Sequence, residues 1–370
     1  MIAKLTVILW VLFLTVASSF AQTDPADPGT DVAYTVEKYI TANFPVALAF
    51  APDGRLFYTE KATGDIRLVR ADGSSQIEPV LHLDTDALVE RGLLGIALDP
   101  AYSDNGTIWT VHTRPGTAVD WPANEVVRFH EQDGVGSDPQ VMLSVPITTG
   151  ELRHNGGNLH FDGDGLLYLS LGDYGDAANA QNLDVPQGKI HRFEVTDDGL
   201  APAPGNPFPD SSIYAYGLRN TFDFTLDPLG DALFGSENGF HCDDEINLIL
   251  PGKNYGWSAE YGTQCFGTDP LDLPDYRPPL LSYTPTIAPT GITVYDGDAF
   301  PGWHGQVFFC AFNSGVITRA VLDETRTQVI ASAPLELAKD QACRLDITVG
   351  ADGYLYFADL SAIYRLVPSL

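Results

Sequence analysis

Positive charge is what this 370-residue chain has least of: 20 Lys+Arg stand against 49 Asp+Glu, a net charge of −29. Nucleic acid and anionic membrane surfaces would be repelled by such a chain and drop out as partners. The same scarcity gives weight to each arginine beside a motif, because an anionic ligand needs a locally basic pocket. Cysteine is scarce too, and the four present (Cys242, Cys265, Cys310 and Cys343) include no Cys-x-x-Cys spacing, which argues against a zinc site. No stretch after the first residues is long and apolar enough to cross a bilayer. Helical amphipathic periodicity of useful length is missing as well.

The N-terminus carries one charge, Lys4, then an uncharged apolar run from Thr6 to Ala17 and the small-residue frame Ser19-Phe20-Ala21. This pattern is a secretory signal cut after Ala21, too short to be a membrane span. Residues 22–31 read as a flexible leader, and 32–370 as one domain. The protein is therefore expected in the periplasm or outside the cell, and no cysteine follows the signal to take a lipid anchor. In that oxidising setting four cysteines form two disulfides, with three pairings possible. The pairing that joins neighbouring segments, Cys242–Cys265 with Cys310–Cys343, is favoured.

A Gly turn leading into an apolar, aromatic and β-branched run recurs along the chain. It is clear at Asp53-Gly54-Arg55-Leu56-Phe57-Tyr58, Asn105-Gly106-Thr107-Ile108-Trp109, Asp164-Gly165-Leu166-Leu167-Tyr168 and Asp352-Gly353-Tyr354-Leu355-Tyr356. Looser copies stand at Gly230-Asp231-Ala232-Leu233-Phe234 and Gly305-Gln306-Val307-Phe308-Phe309. Such a turn before alternating hydrophobics signals a hairpin, and a spacing of roughly 50–75 residues suits a four-stranded blade with its loops. The expected fold is all-β, a six-bladed β-propeller, its ring closed by a strand near Tyr34-Thr35-Val36 lying against Ala362-Ile363-Tyr364-Arg365-Leu366.

Chemistry should then sit on loops at one end of the channel. Arg153-His154-Asn155-Gly156-Gly157 offers an imidazole as general base beside glycines that permit close approach. Tyr214-Ala215-Tyr216-Gly217-Leu218-Arg219-Asn220 offers adjacent donors for a carboxylate or quinone oxygen. The acids, amides and free carbonyls of 236–247 and 252–257 suit a hard cation such as calcium. The charged pair Glu90-Arg91 caps an apolar strand at a rim.

Together these segments resemble the glucose/sorbosone dehydrogenase family, soluble sugar dehydrogenases that use pyrroloquinoline quinone. The blocks Glu-Arg-Gly-Leu-Leu-Gly-Ile-Ala (90–97), His-x-Gly-Gly (154–157), Gly-Lys-Ile-x-Arg (188–192) and Tyr-Ala-Tyr-Gly-Leu-Arg-Asn (214–220) appear in family order. Asp-Asp-Glu-Ile-Asn-Leu-Ile (243–249), Asn-Tyr-Gly-Trp (254–257), Ala-Pro-Thr-Gly (288–291) and Arg-Leu-Asp-Ile (344–347) follow. The resemblance implies a six-bladed propeller with quinone and sugar at one mouth. It makes His154 the base, Glu90, Arg219, Asn220, Asn313 and Arg344 the cofactor contacts, and the main-chain oxygens of Gly239 and Phe240 the ligands of a Ca2+ that polarises the quinone. Glu245 and the carbonyl of Tyr255 match a second, structural Ca2+ site. Departures accompany the match: Glu90 stands where members often have Gln, and would need a positive partner such as Arg91. Phe240 replaces Pro in some members, Asn158 a frequent Arg, and Asn313 the Lys of one branch.

Two other functions compete: a non-catalytic propeller binding sugars or proteins, and a calcium-dependent lactone or ester hydrolase with acids and amides in the central channel. The identity of the sugar, the electron acceptor and the choice between monomer and homodimer are not encoded in these motifs.

Overall fold

The computed structural model describes residues 32–260, 262 and 264–369; the expected signal and leader lie outside them. Six sheets form six blades in chain order. Blade 1 runs from the innermost strand Pro45–Phe50 through Leu56–Glu60 and Asp65–Val69 to Leu81–His82. Blade 2 is Leu93–Leu98, Thr107–Arg114, Ala123–Gln132 and Val135–Pro146. Blade 3 is Leu159–Phe161, Leu167–Leu171, Lys189–Val195 and Leu200–Pro202, and an extra strand, Ile213–Tyr216, also pairs with Lys189–Val195. That strand, part of the Tyr-Ala-Tyr motif, was not foreseen as part of a sheet. Blade 4 is Thr221–Leu226, Leu233–Glu237, Asp244–Ile249 and Leu281–Tyr283, and blade 5 is Pro289–Val294, Val307–Ala311, Ile317–Leu322 and Val329–Pro334.

Blade 6 closes the ring. Ile347–Val349, Leu355–Asp359 and Ala362–Pro368 take the N-terminal Tyr34–Thr41 as outermost strand, antiparallel, with Val36 opposite Leu366 and Thr41 opposite Ala362. The expected closing contact is therefore present. It joins the two ends of the domain with backbone hydrogen bonds, so opening the ring must break a full strand pairing.

All six repeated Gly turns fall between the first and second strands of their blades. Second strands such as Leu56–Glu60, Leu167–Leu171 and Val307–Ala311 are buried at every position, because each is covered by a neighbouring blade on both faces. That is why polar residues within them, such as Thr59 and Ser170, are as buried as their apolar neighbours. Aromatic contacts cross the blade boundaries, as between Trp109 and Phe161 with ring centroids 5.6 Å apart. Fully buried rings such as Phe57, Phe129 and Phe234 each contribute roughly 2–3 kcal/mol.

At the axis, carboxylates staple innermost strands together. Asp346 accepts the N–H groups of Leu48 (2.6 Å) and Ile347 (2.7 Å), and Asp223 accepts that of Ile292 (2.9 Å). Burial, with Asp223 nearby, pushes the Asp346 carboxyl well up. Both disulfides are the favoured ones, Cys242–Cys265 and Cys310–Cys343. Among the described residues no helix is long and apolar enough to cross a membrane.

Candidate active site at one mouth of the channel

With the Gly turns at one end of the channel, the opposite end collects whatever precedes a first strand or follows a second. Glu90 precedes Leu93–Leu98, His154 precedes Leu159–Phe161, Arg219 and Asn220 precede Thr221–Leu226, and Arg344 precedes Ile347–Val349. Gly239 and Phe240 follow Leu233–Glu237, and Asn313 follows Val307–Ala311. Residues far apart in sequence thus share one mouth.

His154 is held from three sides. Its main-chain N–H donates to Glu90 Oε2 (2.6 Å), its Nδ1 lies 2.6 Å from Asp173 Oδ1, and its backbone sits in the left-handed region at φ 59°. Asp173, buried, also accepts the Trp257 indole N–H at Oδ2 (2.7 Å) and the Gly175 N–H at Oδ1 (2.8 Å). A carboxylate on Nδ1 fixes the tautomer that leaves Nε2 as the basic nitrogen. Gly172 is required next door, because a Cβ there would lie 2.1 Å from the His154 carbonyl oxygen. Trp257 closes the Asn-Tyr-Gly-Trp block (254–257) with no role assigned to it, and Asp173 stands in none of the quoted motifs. Only the turn after the second strand of blade 3, returning to the mouth, would have signalled Asp173.

Arg219 donates from Nη1 to the Asn238 carbonyl (2.9 Å), lies over the Trp257 ring at 5.3 Å and the Phe240 ring at 5.9 Å, and leaves its buried Nε without a partner. Burial lowers its pKa, against the pull of Asp173, Glu237, Glu90 and Asp244. Asn220 spends its side-chain oxygen on the Gly156 N–H (3.1 Å), which leaves the amide NH2 for a ligand. Behind both stands Glu237, which accepts the Arg219 and Asn220 N–H groups (2.9 and 2.6 Å) and the Thr221 hydroxyl (2.6 Å). Desolvation pushes the Glu237 carboxyl up to about 7.

A cavity at the channel mouth is lined by Glu90, Asn155, Gly156, Asn220, Asn238 and Lys61, with Phe44, Phe222 and Phe312 among its apolar walls. The expected Glu90–Arg91 partnership does not form. Arg91 turns away to Asp86 (2.8 Å) and the Glu151 carbonyl (2.9 Å), the acceptors within reach of its buried side chain. The cation near Glu90 is Lys61, lowered by burial and raised by Glu90 and Asp86. Asn313 and Arg344 meet each other instead of lining this cavity. Arg344 Nη1 donates to the carbonyls of Phe312 and Asn313 while Nε faces Asp359 at 3.4 Å, and Asn313 donates to the Thr286 carbonyl (3.1 Å).

A second cavity, sharing Asn238 with the first, is lined by Arg219, Glu237, Gly239, Asp243, Glu245, Tyr255 and Trp257. Its acids are not alike. Asp243 is taken up by the Phe266 and Gly267 N–H groups (2.5 and 3.1 Å), and Asp244 by those of Gly239 and Ala288 (2.8 and 2.6 Å). Among the described residues Glu245 accepts only the Asn247 amide (2.9 Å), and burial beside Glu237, Asp243 and Asp244 holds its carboxyl well above the usual range. The buried Asn247 Oδ1 has no partner. An under-bonded carboxylate beside an unmatched amide oxygen fits a hard divalent cation. The unpartnered Arg219 Nε with Lys61 and the Asn220 amide fits an anionic ligand at the mouth. The His241, Cys242 and Cys265 group is no metal centre, since both sulfurs are in a disulfide. At the axis, where a hydrolase would hold its metal, Asp223 and Asp346 are spent on backbone N–H groups.

The profile of a family described as Glucose / Sorbosone dehydrogenase matches residues 42–364. The aldose sugar dehydrogenase of Escherichia coli (strain K12) is 31% identical over 334 residues, covering 84% of this chain and 86% of its own. Quinoprotein glucose dehydrogenase B of Acinetobacter calcoaceticus is 25% identical over 401 residues, covering 85% and 82%. The PQQ-bound aldose sugar dehydrogenase of Streptomyces coelicolor superimposes with a TM-score of 0.75 at 26% identity, over 92% of this chain and 100% of that one.

Proposed function

The chain belongs to the glucose/sorbosone dehydrogenase family, and from that premise we propose that it oxidises the hydroxyl of an aldose or related sugar with pyrroloquinoline quinone as electron acceptor. The observation that carries this reading is the His154 Nδ1 to Asp173 contact of 2.6 Å at the channel mouth. His154 Nε2 takes the proton of the sugar hydroxyl, and Asp173, across the ring, stabilises the imidazolium that results. The buried Asp173 keeps water from competing for Nδ1. Arg219, the Asn220 amide and Lys61 hold the anionic edge of the cofactor. Glu90 acts through the His154 main chain, setting the direction of the imidazole. Asn313 and Arg344, tied to each other and to the Phe312 and Thr286 carbonyls, brace the rim of blades 5 and 6.

Pyrroloquinoline quinone, when bound, supplies the two-electron acceptor for the hydride. The carbonyls of Gly239 and Phe240 would hold the Ca2+ that supplies Lewis acidity. Glu245 and the carbonyl of Tyr255 would hold a structural Ca2+ in the neighbouring cavity. Export through the N-terminal signal agrees with the two disulfides.

The test is a titration of the purified protein with pyrroloquinoline quinone and Ca2+ followed by absorbance, with aldoses then added. Calcium-dependent binding and bleaching by a sugar are expected. No binding by a folded, disulfide-paired protein would overturn the dehydrogenase reading. It would favour a non-catalytic propeller that binds sugars or proteins, to which the engagement of Arg344 and the carboxylate at Glu90 already lean.

A further inference from the structure

Trp257 touches both halves of the site. Its main chain is pinned on two sides, the N–H donating to the Gly217 carbonyl (2.8 Å) and the carbonyl accepting the Gln181 amide (2.8 Å). Its indole N–H donates to Asp173 Oδ2 (2.7 Å), and its ring face carries the Arg219 guanidinium at 5.3 Å. Asp173 and Arg219 attract one another, yet no ion pair joins them, and the same indole contacts both. We propose that Trp257 is a positioning residue, a spacer that prevents Arg219 from capturing Asp173 and so keeps the carboxylate on His154 and the guanidinium on the ligand.

The physics has two separable parts. The indole N–H stabilises the Asp173 anion; removing it alone leaves a more basic carboxylate, which favours protonated His154. The ring is a barrier; removing it lets Arg219 close on Asp173 and draw its charge away from His154, which disfavours protonated His154. The charged groups facing His154 are Asp173 and Glu90, with Arg219 and Lys61 behind them.

The inference rests on His154 being the base, but the NMR arm of its test needs neither quinone nor turnover. The His154 Cε1–H signal is titrated by NMR in wild type, Trp257→Phe and Trp257→Leu, and the pH profile of kcat/KM is recorded for each. Trp257→Phe keeps a ring under Arg219 without the N–H, and both its NMR curve and its acid limb are expected about half to one pH unit higher. Trp257→Leu loses the N–H and the plate together; the ion pair then open to Arg219 and Asp173 outweighs the lost N–H, so both are expected to move lower, with turnover down roughly 100-fold from the misdirected imidazole. Coincident curves, or shifts of the same sign, would overturn the proposal. Should a variant not fold, the wild-type spectrum still decides: one indole N–H signal should move with the His154 titration, and none doing so counts against it. Sugar oxidation surviving in His154→Ala would sink the base assignment alone.

Discussion

The two ends of the same strands use the left-handed region of the backbone differently. At the hairpin end the chain reverses with glycine in the left-handed region, at Gly54, Gly106, Gly165, Gly305 and Gly353. At the mouth, glycines such as Gly156 and Gly157 share that region of φ with Phe44, Val89, His154, Tyr174, Asp243 and Ala288, whose φ lies between 51° and 59°. Glycine adopts that conformation freely, whereas a side chain there costs roughly 1–3 kcal/mol and persists only when its surroundings enforce it. Val89 is β-branched and exposed, and His154 is the proposed base. Repetition and relaxed backbone build the fold; irregularity and enforced backbone mark the site.

The strongest test of that division is His154→Ala. Sugar-dependent dye reduction by the reconstituted protein is expected to fall by roughly 10²–10⁴ with the circular dichroism spectrum and melting temperature nearly unchanged. A large loss of stability instead would make the mouth as structural as the hairpin end.

Next comes the staple at the mouth. Replacing Cys242 and Cys265 by Ser removes a crosslink spanning 23 residues and is expected to cost about 3 kcal/mol, with calcium affinity falling too because the Gly239–Phe240 turn is freed. Denaturant melts with and without Ca2+ would show it, and an unchanged midpoint would mean that the loop is rigid without its disulfide.

Glu237 gives a pH signature. Its carboxyl is raised from an ordinary 4.5 to about 7 by burial, so the folded state prefers the neutral form. The stabilisation is fully present below about 4.5 and is lost as pH rises through about 7, by roughly 3 kcal/mol at most. Glu237→Gln keeps an oxygen for the Arg219 and Asn220 N–H groups, and in chelated protein its melting temperature should change less between pH 5 and 8 than the wild type's. Parallel pH profiles would assign the dependence to other groups.

The smallest effect belongs to the hairpin end. Gly165→Ala meets no atom within 4 Å but forces a side chain to φ 82°. It should cost about 1 kcal/mol with kcat/KM unchanged. A change in activity would break the separation between the two ends.

How much of this was legible beforehand follows from the range of each interaction. The blades were readable because an Asp-Gly turn and the apolar strand after it are local, and because strand burial depends on the residues themselves. Arg219 and Asn220 were readable as neighbours in sequence, and His154 through the glycines beside it. Asp173 was not, although it lies only 19 residues from His154, because nothing local says that the second strand of blade 3 returns to the mouth. Trp257, 84 residues from Asp173, was beyond any pattern. Arg91 beside Glu90 looked like a pair, yet adjacent side chains diverge on an extended rim, and the half-buried Asp86 was the better-placed acceptor.

By itself, then, the chain determined its architecture: turns, alternation and a terminal strand able to close the ring all rest on contacts between near neighbours or on backbone pairing. Tertiary structure alone decided which carboxylate faces His154, which cation answers Glu90, and that an indole stands between Asp173 and Arg219. Those depend on how separate blades present their loops to a shared axis, and long-range packing sets those distances without leaving a local trace.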